Sequence, residues 1–400
     1  MNRRRRLLSI AHSYVVTMNR RLAHELARVG SDQWEVTAVA PAYFHGGRDL
    51  RPVHLETSGS EPCRLVPVSA YLTSRMHCFL YGRRLRSLLA EPWDLVHCWE
   101  EPYVLVGGQV AWWAPRRTPL VYRTAQSLTK SYPVPFNWIE KYAINRAAGW
   151  ICSGHLVAQT LGARSGYDRL PMAQIPLGVD VDRFCPNPAA GRAVMQRLGW
   201  DADGPPVVGF LGRLVPEKGL EMLQRALDHV AVPWRALFVG SGPSEPGLRD
   251  WAAAQGDRVR ICNTVTHDQV PAYLNAMDVL CAPSQTTPTW KEQFGRMIVE
   301  AFASGLAFIG SDSGEIPYVV EDAGVIVGEK DRAGWTDAIA HLLESRARRE
   351  ELAARGLQRA HDEFAWPVVA RRYLDFFESI GSKEDPRHIA LNGAGRACLP

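Results

Sequence analysis

The chain of 400 residues has no long hydrophobic run. Its longest apolar stretch, Tyr103 to Trp113, is broken by Gly107, Gly108 and Gln109, well short of the roughly 20 residues that a bilayer-spanning helix needs. No transmembrane helix is expected. Arg3 to Arg6 precede a short apolar run, but His12 ends it and no small-residue cleavage site follows, so the segment reads as a first strand with a basic flank, not a signal peptide. The eight cysteines (positions 63, 78, 98, 152, 185, 262, 281 and 398) show no Cys-x-x-Cys spacing, which leaves neither a zinc cluster nor a disulfide scaffold. Most sit in strand-like apolar runs, as reduced thiols of a cytoplasmic protein would. Charge of one sign is not in excess either: 46 Lys and Arg stand against 42 Asp and Glu, and a net +4 makes no case for nucleic acid as a partner. No Gly-x-Gly-x-x-Gly follows the first strand, which counts against a nicotinamide-dependent dehydrogenase.

What is present is an ordinary folded composition, 46% hydrophobic and 22% charged, long enough for two or three domains. Its charge is unevenly spread. Residues 1–180 carry 22 Lys and Arg against 13 Asp and Glu (+9), leaving 24 against 29 (−5) for the rest. The basic half points to an anionic partner, either a phosphate-bearing acceptor or a membrane face.

Short apolar runs alternate with helical patterns almost from end to end, the pattern of parallel sheets with crossover helices, so the fold class is α/β. In the first half, strands are expected at Leu7–Ala11, Glu35–Ala40, Arg64–Val68, Leu95–Cys98, Leu120–Arg123 and Trp150–Cys152, with helices such as Asn19–Val29 and Ser74–Leu89 between them. Prolines and glycines crowd Pro176–Pro206, which reads as an interdomain connection. A second series follows, with strands at Val207–Leu211, Ala236–Val239, Val259–Cys262, Val279–Ala282, Ala307–Ile309 and Val325–Val327. The expected division is an N-terminal domain over 1–178, a linker over 179–205, a C-terminal domain over 206–365, a helix over 366–380 packing back on the N-terminal domain, and a disordered tail over 381–400.

Two constellations carry chemistry. In Gly209-Phe-Leu-Gly212-Arg213-Leu-Val-Pro-Glu217-Lys218-Gly219, an apolar strand runs into a tight loop and a helix start. Such a turn lets backbone amides approach an anion, Arg213 can grip a phosphate with two bonds, and Lys218 adds a point charge. A plain surface pair of Arg213 with Glu217 is the structural alternative. In Glu292-Gln-Phe294-Gly295-Arg296-Met-Ile-Val-Glu300-Ala-Phe-Ala-Ser-Gly305, one carboxylate precedes a helix and a second follows two turns on, both suited to accept hydrogen bonds from sugar hydroxyls. Here the alternatives are a carboxylate serving the helix dipole and a solvated Glu300.

With these motifs the chain resembles family 4 glycosyltransferases, retaining enzymes that use nucleotide sugars and have the GT-B fold, two Rossmann-like doubly wound domains facing across a cleft. The resemblance rests on Gly212-Arg213…Glu217-Lys218-Gly219, Val239-Gly-Ser-Gly-Pro243, Ala282-Pro-Ser284, Glu292-x-Phe294-Gly295…Glu300-Ala301, Gly314-Glu-Ile-Pro317 and the linker phrase Ile175-Pro-Leu-Gly-Val-Asp180…Phe184-x-Pro186. It implies that Gly212, Arg213 and Lys218 bind the donor diphosphate, Glu300 the ribose and Glu292 the transferred sugar. The backbone from Phe294 through Gly295 to Arg296 would hold sugar and phosphate, and the segment with Asn263 and Val265 would border the base. Arg213, Lys218 and Glu292 are then the catalytic set. Front-face transfer with retention is expected, the departing diphosphate taking the acceptor's proton.

The N-terminal half departs from the family's common pattern. His12-Ser13-Tyr14 stands where many members have a Gly-Gly loop, and Arg123-Thr124-Ala125-Gln126 where many have a histidine. His97, Glu100, Glu101 and Gln126, after expected strands, are the acceptor-side candidates, with structural or capping roles as the alternative. Asp180-x-Asp182 and Asp201-x-Asp203 lie in the connection, lack a completing ligand, and are read as no metal site. Arg83-Arg84-x-Arg86, Trp112-Trp113 and Arg116-Arg117 are either solvated faces with core aromatics or a basic, aromatic-edged surface for anionic lipid. The expectation is thus a cytoplasmic, metal-independent transferase with no cofactor beyond its nucleotide-sugar donor, acting on a glycan or lipid-linked acceptor, peripheral on the inner membrane face. A catalytically silent nucleotide-sugar-binding protein of the same fold stays open at this point.

Overall fold

The computed structural model describes residues 3–46, 52–57 and 59–381, which form two compact α/β units. Cys398 and the expected tail beyond residue 381 lie outside the described residues.

Unit 1 takes in the chain to Ser153, Val157–Ile175 and the stretch from Val369. Its strands are β1 (Arg5–Ile10), β2 (Trp34–Pro41), β3 (Arg64–Val68), β4 (Leu95–Cys98), β5 (Leu120–Thr124), β6 (Gly149–Cys152) and β7 (Met172–Gln174). They form one parallel sheet in the order β7-β6-β5-β4-β1-β2-β3. β4, β5 and β6 are buried at every position, as strands covered on both faces must be. Successive connections run outward in opposite directions from the β1–β4 pair, so the carboxyl ends of these two strands border the switch point where open α/β sheets take ligands. The C-terminal helix ending at Gly381 brings Tyr373 and Phe377 into this unit: the Tyr373 hydroxyl lies 2.6 Å from Arg123 Nε, and the Phe377 ring meets Trp34.

One expected helix is corrected. Ser74–Leu89 is not a single helix: Leu80–Tyr81 pairs antiparallel with Ala70–Tyr71, Gly82 is extended, and the helix covers only Arg83–Leu89. Phe79 explains the difference, since it is fully buried against Phe44 and His12 and so serves an aromatic cluster, not a helix face.

Unit 2 comprises Gly154–Leu156 and Pro176–Val368. Its strands are β8 (Val207–Leu211), β9 (Arg235–Val239), β10 (Val259–Cys262), β11 (Val279–Ala282), β12 (Ala307–Ser311) and β13 (Val325–Val327). All are parallel, in the order β10-β9-β8-β11-β12-β13, with the switch point between β8 and β11. The stretch expected as a free connection belongs to this unit. It contains the helix Pro188–Arg197, started by an N-terminal proline and capped by the Asn187 side chain, and it buries Val179, Phe184, Val194 and Trp200 in the unit's core. The proline and glycine density that suggested a linker is helix-start and turn chemistry.

Candidate functional site

At the switch point of unit 2, the loops after β8 and β11 are pressed together. A Cβ on Gly219, which has a φ of +70°, would come within 1.7 Å of the Pro283 carbonyl oxygen, so only glycine permits this approach. Gln285 N–H donates to the Glu217 carbonyl at 2.8 Å, a second tie between the same loops. On this frame Lys218 Nζ donates to Glu292 Oε2, which also accepts from Ser284 Oγ at 3.2 Å. The ammonium lies 5.0 Å from the centre of the Trp290 ring. Both members of the ion pair are largely buried. Glu292 is fixed from its backbone too: Glu315 N–H donates to its carbonyl at 2.9 Å, and the Gly314 position, with φ +63°, leaves only 2.2 Å between an added Cβ and that oxygen.

Arg213 is the contrasting cation. Its guanidinium is exposed, and its approach to Glu217, 3.9 Å, is too long for a hydrogen bond. Its side-chain donors are open to solvent, whereas Lys218 is engaged. Gly212, just after β8, has φ +151°; its N–H donates to the Val239 carbonyl at 3.0 Å, and the Phe210 ring lies 3.9 Å from where a Cβ would stand.

Gly295, in the left-handed region, opens the helix Arg296–Ala303, and Phe294 before it is buried. Glu300 lies on the inner side of this helix. Burial pushes its carboxyl up to about 7, against the pull of Arg296 and Arg183, and Arg296 Nη2 stands 3.9 Å from Oε1. A carboxyl poised at that value exchanges its charge near neutrality. Arg183 donates to the His267 carbonyl, and His267 is pushed down to about 4 by burial and then by Arg183 and Arg296, so its ring is neutral. Asn263 is engaged with Glu245 Oε1 at 2.6 Å, and Val265 packs half-buried on the core of the unit.

The structure thus joins Lys218 to Glu292 and pairs Arg296 with Glu300, while the direct contact of Asn263 is with Glu245. Ser284, Trp290, Arg183 and His267 escaped the sequence reading. Ser284 and Arg183 lay inside quoted motifs, and the signal available was their place beside a strand end and beside Phe184. A cavity of about 300 Å³ opens next to Glu292, with Thr286, Lys291, Asp312, Gly314 and Tyr318 in its lining.

In unit 1, Glu100 and His12 meet at the β1–β4 switch point. The Glu100 carboxylate accepts from His12 N–H at 2.5 Å and pairs with His12 Nδ1 at 2.6 Å. Glu101 accepts from Thr124 Oγ1 at 2.5 Å and from Ala125 N–H at 2.7 Å, which ties the loops after β4 and β5; burial raises its carboxyl above the usual range despite these bonds. Gln126 Nε2 donates to the Tyr132 hydroxyl at 2.8 Å, and Tyr132 stacks on Tyr103. His97 is corrected to a core residue. It is wholly buried, its Nδ1 pairs with Ser9 Oγ at 2.9 Å, and burial holds its ring near 3, so it offers nothing to a ligand. The signal that misled was its position at a strand end, where register sets it beside Ser9 on β1 and points it into the sheet.

Among the described residues, one group has metal-ligand geometry: His24, Glu61 and Cys63, with ligand atoms within 4.8 Å of one another. Glu61 there already pairs with the buried Arg20 and with His24, and burial pushes the Cys63 thiol up to about 11. The seven described cysteines are free thiols. No described helix is long and apolar enough to cross a membrane.

Two parallel α/β units of this order, with GT-B glycosyltransferases as structural neighbours, define the GT-B fold. Sucrose-phosphate synthase from Thermosynechococcus elongatus matches with a TM-score of 0.70 over 94% of this chain and 99% of its own, at 21% identity. A model described as Glycosyltransferase Family 4 matches residues 15–183 and one described as Glycosyl transferases group 1 matches 205–345; the chain belongs to the family 4 glycosyltransferases. It is similar to D-inositol 3-phosphate glycosyltransferase of Xylanimonas cellulosilytica, 27% identical over 94% of this chain and 92% of that protein. It is also similar to the GDP-mannose-dependent alpha-(1-6)-phosphatidylinositol monomannoside mannosyltransferase of Mycobacterium tuberculosis, 35% identical over 50% of this chain and 54% of that protein.

Proposed function

We propose that unit 2 binds a nucleoside diphosphate sugar and that the chain transfers the sugar, with retention, to a hydroxyl of an acceptor taken up by unit 1. The observation that carries this is the largely buried Lys218–Glu292 pair with the exposed guanidinium of Arg213, 3.9 Å from Glu217, on the same loop as Lys218. A donor diphosphate entering at Gly212 meets the guanidinium of Arg213, and the ammonium of Lys218 can turn from Glu292 toward it. Glu292 then accepts from hydroxyls of the transferred sugar, and Glu300 from the ribose. The amides from Phe294 through Arg296 face the sugar and phosphate, with Asn263 and Val265 beside the base. As the bond from the anomeric carbon to the diphosphate oxygen breaks through an oxocarbenium-like state, the two cations stabilise the leaving charge. The departing diphosphate takes the proton of the acceptor hydroxyl, whose oxygen forms the new bond on the same face. Fixed cations already neutralise the leaving group, so we propose catalysis independent of metal and of any cofactor besides the donor.

For the acceptor we propose a phosphate-bearing cyclitol, free or lipid-linked. Both relatives carry an inositol phosphate unit in the names of their substrates, and the basic balance of residues 1–180 supports it. Exposed Arg83, Arg84 and Arg86, the first two lining a cavity of about 260 Å³, favour an anionic membrane surface as a further partner. The test is incubation with GDP-mannose or UDP-glucose and D-inositol 3-phosphate, following release of the nucleoside diphosphate. Release that depends on the acceptor is expected. Tight donor binding with no transfer to the inositol phosphate or to phosphatidylinositol would point to the silent binding protein instead.

A further inference from the structure

Among the described residues of unit 1, three histidines have side-chain hydrogen-bond partners from other elements, and their surroundings differ in kind. His97 is sealed in the sheet. His24 lies within the helix Arg21–Val29, and its carboxylate partner Glu61 is shared with the buried Arg20. Of the three, His12 combines a place just after the carboxyl end of β1, at the switch point, with a partly exposed ring and a carboxylate that accepts twice from it.

The geometry of His12 is that of an oriented imidazole. Glu100 is almost wholly buried and accepts from both the backbone N–H and the ring of His12, so its charge is compensated by one residue. Phe44 and Phe79 flank the ring, with centroids at 5.0 and 5.5 Å. The bond to Glu100 places the proton of the neutral ring on Nδ1 and leaves the lone pair on Nε2. That nitrogen has no hydrogen-bond partner among the described residues, and the side chain is 28% exposed.

We infer that His12, oriented by Glu100, receives the acceptor: its Nε2 accepts the hydrogen bond of the hydroxyl that is to be glycosylated and so aims that oxygen's lone pair. This rests on the glycosyltransferase reading and adds to it a residue that touches the acceptor. The hydroxyl hydrogen rests against this nitrogen in the waiting complex and passes to the departing diphosphate oxygen as the glycosidic bond breaks and the new bond forms, so His12 takes no proton and acts by orientation. A protonated ring has no lone pair at Nε2 and cannot serve.

Burial works to lower the basicity of His12, but the charge and hydrogen bond of Glu100 prevail and raise it above 6.5. Glu100 is the charged group facing the ring. Around Glu100 lie Glu101, Cys98 and Tyr81, all three pushed up by burial, the thiol and phenol well beyond neutrality. Acceptor use should therefore rise with pH through a midpoint above 6.5.

The test uses the full chain with GDP-mannose and D-inositol 3-phosphate or short-chain phosphatidylinositol, across pH values on either side of neutrality. His12→Asn keeps an amide donor toward Glu100 and removes Nε2. It should lower kcat/KM for the acceptor about 10²-fold, erase the rising limb, and leave the melting temperature and GDP binding unchanged. His12→Gln, which returns a polar atom near the Nε2 position, should recover part of the loss. Glu100→Gln should move the midpoint down. Carbon-13 labelling of histidine gives a readout apart from turnover: the titration midpoint of the His12 ring should shift when either acceptor is added. A His12→Asn variant that keeps the wild-type kcat/KM and pH limb, or a ring that ignores both acceptors, overturns the inference. Failure of GDP-mannose and UDP-glucose alike to stabilise the protein against heat would instead overturn the donor reading beneath it.

Discussion

Lys218 donates its ammonium hydrogen bond to Glu292, so the loop after β8 and the loop after β11 are joined by the two residues that the proposed reaction needs most. On the proposed reading the pair separates two roles that sequence alone runs together, since Lys218 would serve the resting fold as well as the donor and Arg213 the donor alone.

Arg213→Ala is accordingly expected to lower turnover by about 10²-fold, as loss of one preorganised charge stabiliser does elsewhere, with an unchanged melting temperature. Lys218→Ala should lower turnover similarly and also cost about 1–3 kcal/mol of stability, because it strands the buried Glu292 carboxylate. Steady-state kinetics with calorimetry checks both, and near-normal turnover in both variants refutes the phosphate grip.

The two carboxylates should divide the donor between them. Glu300→Gln is expected to weaken binding of free nucleoside diphosphate, whereas Glu292→Gln should leave that nearly unchanged and impair the intact nucleotide sugar. Titration calorimetry with both ligands decides, and equal losses for both ligands in both variants would show the roles to be wrong.

Glu300 also carries a pH dependence of its own. Its carboxyl is raised to about 7 by burial, so the protonated form prevails below that value and the charged acceptor of ribose hydrogen bonds prevails above it. Nucleoside diphosphate affinity should increase as pH rises through about 7, and this step should vanish in Glu300→Gln. The sign is opposite for stability: a raised carboxyl favours the fold below its unfolded value and loses that contribution as pH rises through about 7. An affinity that falls across the same interval would refute the ribose role.

Membrane association makes a further prediction. Attraction to anionic lipid is worth up to about 1 kcal/mol per basic residue near the surface and is screened by salt. Sedimentation with anionic vesicles at low salt should be reduced when Arg83, Arg84 and Arg86 are all replaced by Ser. Binding that ignores both salt and the replacements would leave a soluble acceptor as the better account.

The sheets were legible because their parallel strands are short apolar runs with sharp ends: Arg64–Val68, Leu95–Cys98, Val207–Leu211, Val259–Cys262, Val279–Ala282 and Val325–Val327 agree residue for residue. Ser74–Leu89 failed because Met76, Phe79 and Leu80 share a helical spacing, yet a long-range aromatic cluster claims Phe79. Unit 2's donor motifs were visible as local strings, but the pairing of Lys218 with Glu292 spans 74 positions and depends on two loops meeting over Gly219. His97 and His12 show the same limit on the acceptor side. Both sit near strand ends, and only the register of β1 against β4 decides which ring is enclosed and which stays open.

The most direct measurement is the NMR spectrum of the acceptor after incubation of the full chain with GDP-mannose and D-inositol 3-phosphate in the presence of a chelator. The account predicts a glycosylated inositol phosphate whose anomeric configuration matches that of the donor sugar, formed alongside guanosine diphosphate. A product of inverted configuration, a strict need for added magnesium or manganese, or hydrolysis of the donor without any glycosylated acceptor would contradict it.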